Sequence, residues 1–296
     1  VSEKEVEVLR MAEGLFQRLG RIDLEGRQPV SIDAVDANGN GKAEIFVTAL
    51  DRQGQSLDSL VLAWNGGRFA TLAEKQRWYF GAVRLPDRGR VLIGQERGSR
   101  EIFAGGVVEL MASGDGYIAG APLPLPIGVN IYGFDYGDVF NDGRNLLAAY
   151  TSKDTIRIYN DAGVALYTSA ETFGGNPAFL EHIQHLKRSG NPNLDPRVAP
   201  RTYLPQRLFV TDLEGDGKTE ILTAVNKEIA GRILERLRLF GDGRVECLSW
   251  SGSGLFTRWK THTFTGYVSD IALADIDGDG QPEVVIAVVA ESGSMV

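Results

Sequence analysis

Three nine-residue stretches place oxygen-bearing side chains at the same four positions. They are Asp36-Ala-Asn-Gly-Asn-Gly-Lys-Ala-Glu44, Asp212-Leu-Glu-Gly-Asp-Gly-Lys-Thr-Glu220 and Asp275-Ile-Asp-Gly-Asp-Gly-Gln-Pro-Glu283. Positions 1, 3, 5 and 9 are Asp36, Asn38, Asn40 and Glu44 in the first loop. They are Asp212, Glu214, Asp216 and Glu220 in the third, and Asp275, Asp277, Asp279 and Glu283 in the fourth. Each has glycine at position 6, where a tight turn forms at no steric cost. The backbone carbonyl of position 7 (Lys42, Lys218 or Gln281) can then turn inward. Calcium is a hard cation that takes six to eight oxygens from carboxylates, amides and carbonyls, so these loops are expected to hold about three calcium ions.

The rival is an EF-hand or dockerin-type loop, which needs an acid at position 12. Here position 12 is Val47, Thr223 or Ile286, inside strand-forming sequence with no helical pattern alongside. A copy between these loops, Tyr136-Gly-Asp-Val-Phe-Asn-Asp-Gly-Arg-Asn-Leu146, has Phe140 at position 3 and Leu146 at position 9. It keeps only Asp138 and Asp142, so no calcium is expected there. None is expected at Asp87, in the undecorated copy Gly81–Gly94.

The elements that position these loops are strands. Each copy reads strand, loop, strand, and is followed by a second strand pair around Asn, Asp and Gly. The pairs are Ser59–Trp64 with Arg68–Leu72, Gly106–Met111 with Tyr117–Ala119, and Thr155–Tyr159 with Val164–Thr168. The last, Leu237–Phe240 with Val245–Trp250, is read as a hairpin turning at Gly241-Asp-Gly243. A four-stranded antiparallel unit recurring every 50 to 60 residues predicts an all-β fold, a β-propeller. A β-sandwich does not explain why the same loop returns at the same place. At the N-terminus, Glu5–Met11 and Leu15–Ile22 read as an outer hairpin; the competing reading, a helix over Glu3–Leu19, fits the alternation of Val6 and Val8 less well. The final copy, Ile271–Val289, reads as an inner pair. Joined, the two complete one blade and close five blades, with six or seven as the alternative. A single domain over 1–296 is expected, with 172–206, rich in Gly, Asn and Pro, as a surface insertion.

The 296 residues are 43% hydrophobic with 36 glycines, which suits a large core joined by many turns. A net charge of −8 argues against nucleic acid as a partner. With one cysteine, Cys247, no internal disulfide can form, and that residue reads as a small apolar strand position. No stretch has the roughly 20 apolar residues of a membrane-spanning helix. The chain opens on Val1, so residues preceding it are expected to have been removed, and no secretory signal is visible.

Catalytic constellations are thin. His182 and His185, beside Glu181, and the distant His262 read as surface residues. No nucleophile elbow or phosphate-cradling loop is present. The best carboxylate pairs already belong to the loops. Trp78, Tyr79, Phe80, Tyr132, Phe134, Tyr136 and Tyr203 gather near strand starts, and core packing accounts for most of them.

With Asp-Ala-Asn-Gly-Asn-Gly-Lys-Ala-Glu, Asp-Leu-Glu-Gly-Asp-Gly-Lys-Thr-Glu and Asp-Ile-Asp-Gly-Asp-Gly-Gln-Pro-Glu each leading into an apolar strand, the chain resembles the FG-GAP or VCBS repeat proteins, the integrin-α-like propellers. It looks most like their uncharacterised bacterial members. That resemblance implies structural calcium in the loops, a propeller surface that binds a protein or polysaccharide partner, and an exported location: periplasmic, outer-membrane associated or extracellular. Loops of weak calcium affinity suit the same location. The expected function is a non-catalytic binding or assembly module; the alternative is a polysaccharide lyase or hydrolase working in a cleft of the propeller face.

Overall fold

The computed structural model describes residues 5–86, 88–99, 101–182, 200–229 and 238–290. All regular structure among them is β-strand. The chain divides into two compact units. One comprises 1–123, 181–200 and 275–281; the other comprises 124–180, 201–274 and 282–296.

The first unit begins with the hairpin β1 (Glu5–Ala12) and β2 (Leu15–Asp23), which turns at Glu13 and Gly14, both at positive φ. The strand reading of the N-terminus therefore holds over the helical one. Two four-stranded meanders follow. The first is β3 (Gln28–Val35), β4 (Glu44–Leu50), β5 (Ser59–Trp64) and β6 (Phe69–Gln76). The second is β7 (Trp78–Leu85), β8 (Gly89–Glu96), β9 (Ala104–Ser113) and β10 (Gly116–Pro122). Strands that pair in chain order, all antiparallel, are the build of a propeller blade. Asp87, between β7 and β8, lies outside the described residues.

The two meanders pack face to face through Phe46 on β4, Phe80 on β7 and Tyr117 on β10, rings in edge contact 5.2–6.0 Å apart. Around them lie Val35, Val61, Ala73, Leu92 and Leu110. One buried hydroxyl ties the sheets as well: the Phe80 N–H donates to Thr48 Oγ1 at 2.8 Å. Thr48→Val keeps the shape and orphans that N–H. A loss of about 1–3 kcal/mol is expected in urea unfolding; an unchanged midpoint and slope would show the bond to be dispensable.

The second unit holds a meander of β11 (Phe134–Gly137), β12 (Leu146–Tyr150), β13 (Ile156–Tyr159) and β14 (Ala165–Thr168). Two short strands, β15 (Phe179–Glu181) and β16 (Arg201–Tyr203), pair within the stretch read as an insertion; residues 183–199 of it, including His185, lie outside the described residues. Then come β17 (Leu208–Thr211), β18 (Glu220–Glu228), β19 (Phe240–Trp250) and β20 (Leu255–Lys260), with β21 (Phe264–Thr265) added to β19. Finally β22 (Tyr267–Ala274) pairs with β23 (Glu283–Val289). The described residues thus contain four four-stranded blades.

One expected hairpin is misplaced. Gly241-Asp-Gly243 lies inside β19, in register with Lys227 and Asn226 on β18 at Asp242 and Gly243, and the turn falls at Ser251–Gly254 instead. Neither Gly241 nor Gly243 has the positive φ of a turn glycine, whereas Gly252 has φ +92. The two glycines provide room: a Cβ on Gly243 would stand 2.5 Å from Asn226 Oδ1 and 2.7 Å from the Val268 nitrogen.

Candidate metal centres

The four acidic loops each join the first two strands of their sheet: β3 to β4, β11 to β12, β17 to β18 and β22 to β23. Their backbones follow one plan. Positions 4 and 6 are both at positive φ: Gly39 and Gly41, Asn141 and Gly143, Gly215 and Gly217, Gly278 and Gly280. Glycine is free to enter that region and asparagine tolerates it. The position-1 aspartate then accepts from loop N–H groups that the turn leaves without a strand partner. Asp36 takes those of Asn40 and Gly41, and Asp138 those of Asp142 and Gly143. Asp212 takes those of Gly215, Asp216 and Gly217, and Asp275 those of Gly278 and Gly280. Position 5 (Asn40, Asp142, Asp216 or Asp279) accepts from the N–H of position 7 at 2.7–3.1 Å.

The loops differ at positions 3 and 9. In the first, Glu44 is only 3% exposed; one oxygen accepts from the Ala37 N–H at 2.9 Å and the other from the Asn38 amide. In the fourth, Asp275, Asp277 and Glu283 bring one oxygen each within 4.8 Å of one another, the single such carboxylate trio among the described residues. Three converging carboxylates repel unless a cation joins them, and all are hard ligands suited to calcium. These residues fit the ion. The first loop offers the same class of donors with two asparagines in place of acids.

The third loop has four acids but does not gather three of them, and its residues do not fit the ion as they stand. Glu220, 1% exposed, accepts from the Leu213 N–H with Oε2, while Oε1 faces Arg258 Nη1 at 3.4 Å. Nη2 of the same guanidinium donates to Glu214 and lies 3.3 Å from Asp216 Oδ2. In the second loop, oxygens are replaced by apolar packing. Phe140 stacks on Trp250, ring centres 4.3 Å apart, and Leu146 is buried among Ala148, Ile158 and Ile221. Its Asn141 instead reaches the third loop, accepting from the Thr219 N–H at 2.6 Å and donating to the Thr219 carbonyl at 3.2 Å. Sequence reading singled out neither Arg258 nor Asn141.

Elsewhere the candidate chemistry is structural. Cys247 is buried among Leu222, Val245 and Val268, and burial pushes its thiol up to about 12. Tyr79, Phe80 and Phe134 are buried, and the Trp78 indole donates to the Tyr117 carbonyl. Tyr203 packs on Phe179 under the Arg238 guanidinium. His262 rests on Phe264. No helix among the described residues is long and apolar enough to cross a membrane.

Residues 212–286, from Asp212 through the whole fourth loop, match the family model of the FG-GAP-like repeat. No curated protein matches the chain. Among solved structures, Saccharomyces cerevisiae Sqt1 is similar at 10% identity and a TM-score of 0.35, over 97% of this chain and 76% of that one. A candidate oxidoreductase (glucose dehydrogenase) of Thermus thermophilus is similar at 12% identity and a TM-score of 0.30, over 86% and 99%. The fold described above rests on strand pairing and not on these likenesses.

Proposed function

Because residues 212–286 match the FG-GAP-like repeat within a chain of four-stranded antiparallel blades, we propose that the protein is an FG-GAP-repeat propeller acting as a calcium-stabilised, non-catalytic binding or assembly module of the bacterial cell envelope or extracellular space. The observation that carries the calcium reading is the convergence of Asp275, Asp277 and Glu283 in a loop of the matched repeat. Calcium there would be held by these residues with Asp279 and the Gln281 carbonyl, and in the first loop by Asp36, Asn38, Asn40, Glu44 and the Lys42 carbonyl. The ion supplies positive charge that joins the ends of two strands; the chain's own aspartates keep the turn in shape by capping its N–H groups. That capping also favours a structural role over catalysis, since the acids best placed for proton transfer are engaged by backbone. In this reading the partner is a protein or polysaccharide met on the blade surface. Export follows from the weak affinity of such loops, which external calcium saturates and cytosolic calcium does not.

Calcium titration followed by thermal unfolding tests this. With a Kd of about 10⁻⁴ M, 5 mM calcium contributes about 2 kcal/mol per occupied site. The melting temperature should rise by several degrees and return on adding chelator. Asp277→Ala should remove the fourth loop's share, whereas Asp142→Ala should leave the response intact. No shift at 5 mM calcium would end the calcium reading.

A further inference from the structure

We infer that the third loop has exchanged its metal ion for an internal cation: Arg258 holds the acids of Asp212–Glu220 together, and this loop is ordered without calcium while it excludes the ion. The inference deepens the calcium reading of the other loops and rests on it for one arm of its test.

The argument begins with how Arg258 reaches the loop. On β20 the register against β19 runs Glu246 to Lys260 and Cys247 to Trp259, then jumps to Leu248 against Thr257. Arg258 is the extra residue of that β-bulge, opposite no partner. A bulge bends the strand and re-aims a side chain. Here it turns the guanidinium onto a loop 38 to 44 residues away in sequence, where it meets Glu214, Asp216 and Glu220 together. Guanidinium is planar, permanently charged and a multiple donor, so one group can serve three carboxylates.

The second strand of the argument is the fate of the position-9 glutamate. In all three decorated loops this residue starts the second strand: Glu44, Glu220 and Glu283. Where a described partner is seen for its second oxygen, it is the Asn38 amide in the first loop and Arg258 in the third. In the fourth loop the glutamate instead converges with two other carboxylates. A buried carboxylate needs a partner, and the third loop finds one within the chain. Position 3 has changed to match: Glu214 carries one more methylene than Asn38 or Asp277, and it is this longer side chain that meets Arg258. Asn141 adds a backbone clamp from the neighbouring loop, at Thr219. Guanidinium and calcium would seek the same oxygens, so the two exclude each other.

The test replaces the charge and keeps the stem: Arg258→Met, with Arg258→Lys as the charge-conserving companion. By equilibrium dialysis, Arg258→Met should bind one more calcium per chain than wild type, Arg258→Lys should not, and adding Asp212→Asn to Arg258→Met should remove the gain. The second arm uses no metal. In chelator, the amides of Gly215, Asp216 and Gly217 should exchange at least tenfold faster in Arg258→Met than in wild type, with those of Gly278 and Gly280 unchanged. A wild type that loses one calcium on Asp212→Asn, or an Arg258→Met protein that gains none while the fourth loop binds, would overturn the exclusion. Unaltered exchange at 215–217 would overturn the internal-cation role, even in a protein that binds no calcium anywhere. Loss of binding at the fourth loop alone counts against the proposed function and leaves the exchange result standing.

Discussion

Phe80→Ala should lower stability by about 3–5 kcal/mol, the range for a large aromatic removed from a packed core. The side chain is 0% exposed and sits where two sheets of the first unit meet. Its ring meets Phe46 at 5.2 Å and Tyr117 at 6.0 Å, both edge-on. Such pairs add about 0.5–1.5 kcal/mol beyond area burial. The cavity cannot close easily, because its walls are strands fixed by their own ladders: Phe80 pairs with Gly94 and Phe46 with Val61. Relaxation that would soften the loss must therefore move whole sheets. Phe80→Leu should cost about half as much, since most of the volume stays. Urea unfolding followed by tryptophan fluorescence measures both, and an alanine variant within about 1.5 kcal/mol of wild type would mean the interface is not packed as described. The Thr48→Val loss should be the smaller of the two, because it removes one hydrogen bond and no volume.

Much of this was legible in the sequence, and the reason is periodicity. A loop with ligands at fixed spacing, returning between apolar runs, marks both the strands and their order, and the observed hairpins fall where the turns at Asn65-Gly-Gly67 and Asn160-Asp-Ala-Gly163 put them. The first hairpin likewise turns between the two runs read as its strands, at Glu13 and Gly14. The reading failed where one residue type has two uses. Gly241 and Gly243 look like a turn because glycine permits positive φ, yet here they are extended and simply small. Ser251-Gly-Ser-Gly254 was the turn, held by the Ser251 N–H donating to the Gly254 carbonyl. Arg258 was illegible for a different reason: only a register slip in a strand pair aims it at the third loop, and spacing does not encode a bulge. The glutamate at position 214, where the sister loops have shorter side chains, was the one local hint. Asn141 left a clearer trace, being the sole non-glycine at position 4 of the four loops.

Gly243→Val should be as damaging as the loss of a core aromatic, through crowding instead of a cavity. β19 is extended at this residue, so valine meets no torsional penalty and would ordinarily favour a strand. The obstacle is space: the new side chain would begin 2.5 Å from Asn226 Oδ1 and 2.7 Å from the Val268 nitrogen. Those atoms are already joined, since the Val268 N–H donates to Asn226 Oδ1 at 2.8 Å. The Asn226 amide in turn donates to the carbonyls of Gly175 and Val268, which Gln206 also serves. Valine must therefore break the Asn226 bond and push β22 from β19. Overpacking costs about 1–3 kcal/mol and an orphaned buried N–H about 1–3 kcal/mol more, so a total of about 2–6 kcal/mol is expected. Asn226→Ala separates the two contributions: alone it should cost about 1–3 kcal/mol, and it opens room beside residue 243. Combined with Gly243→Val, the double variant should be less destabilised than the sum of the singles, as expected for residues sharing one space. Strict additivity in urea unfolding would show that valine is harmful for some reason other than displacing Asn226.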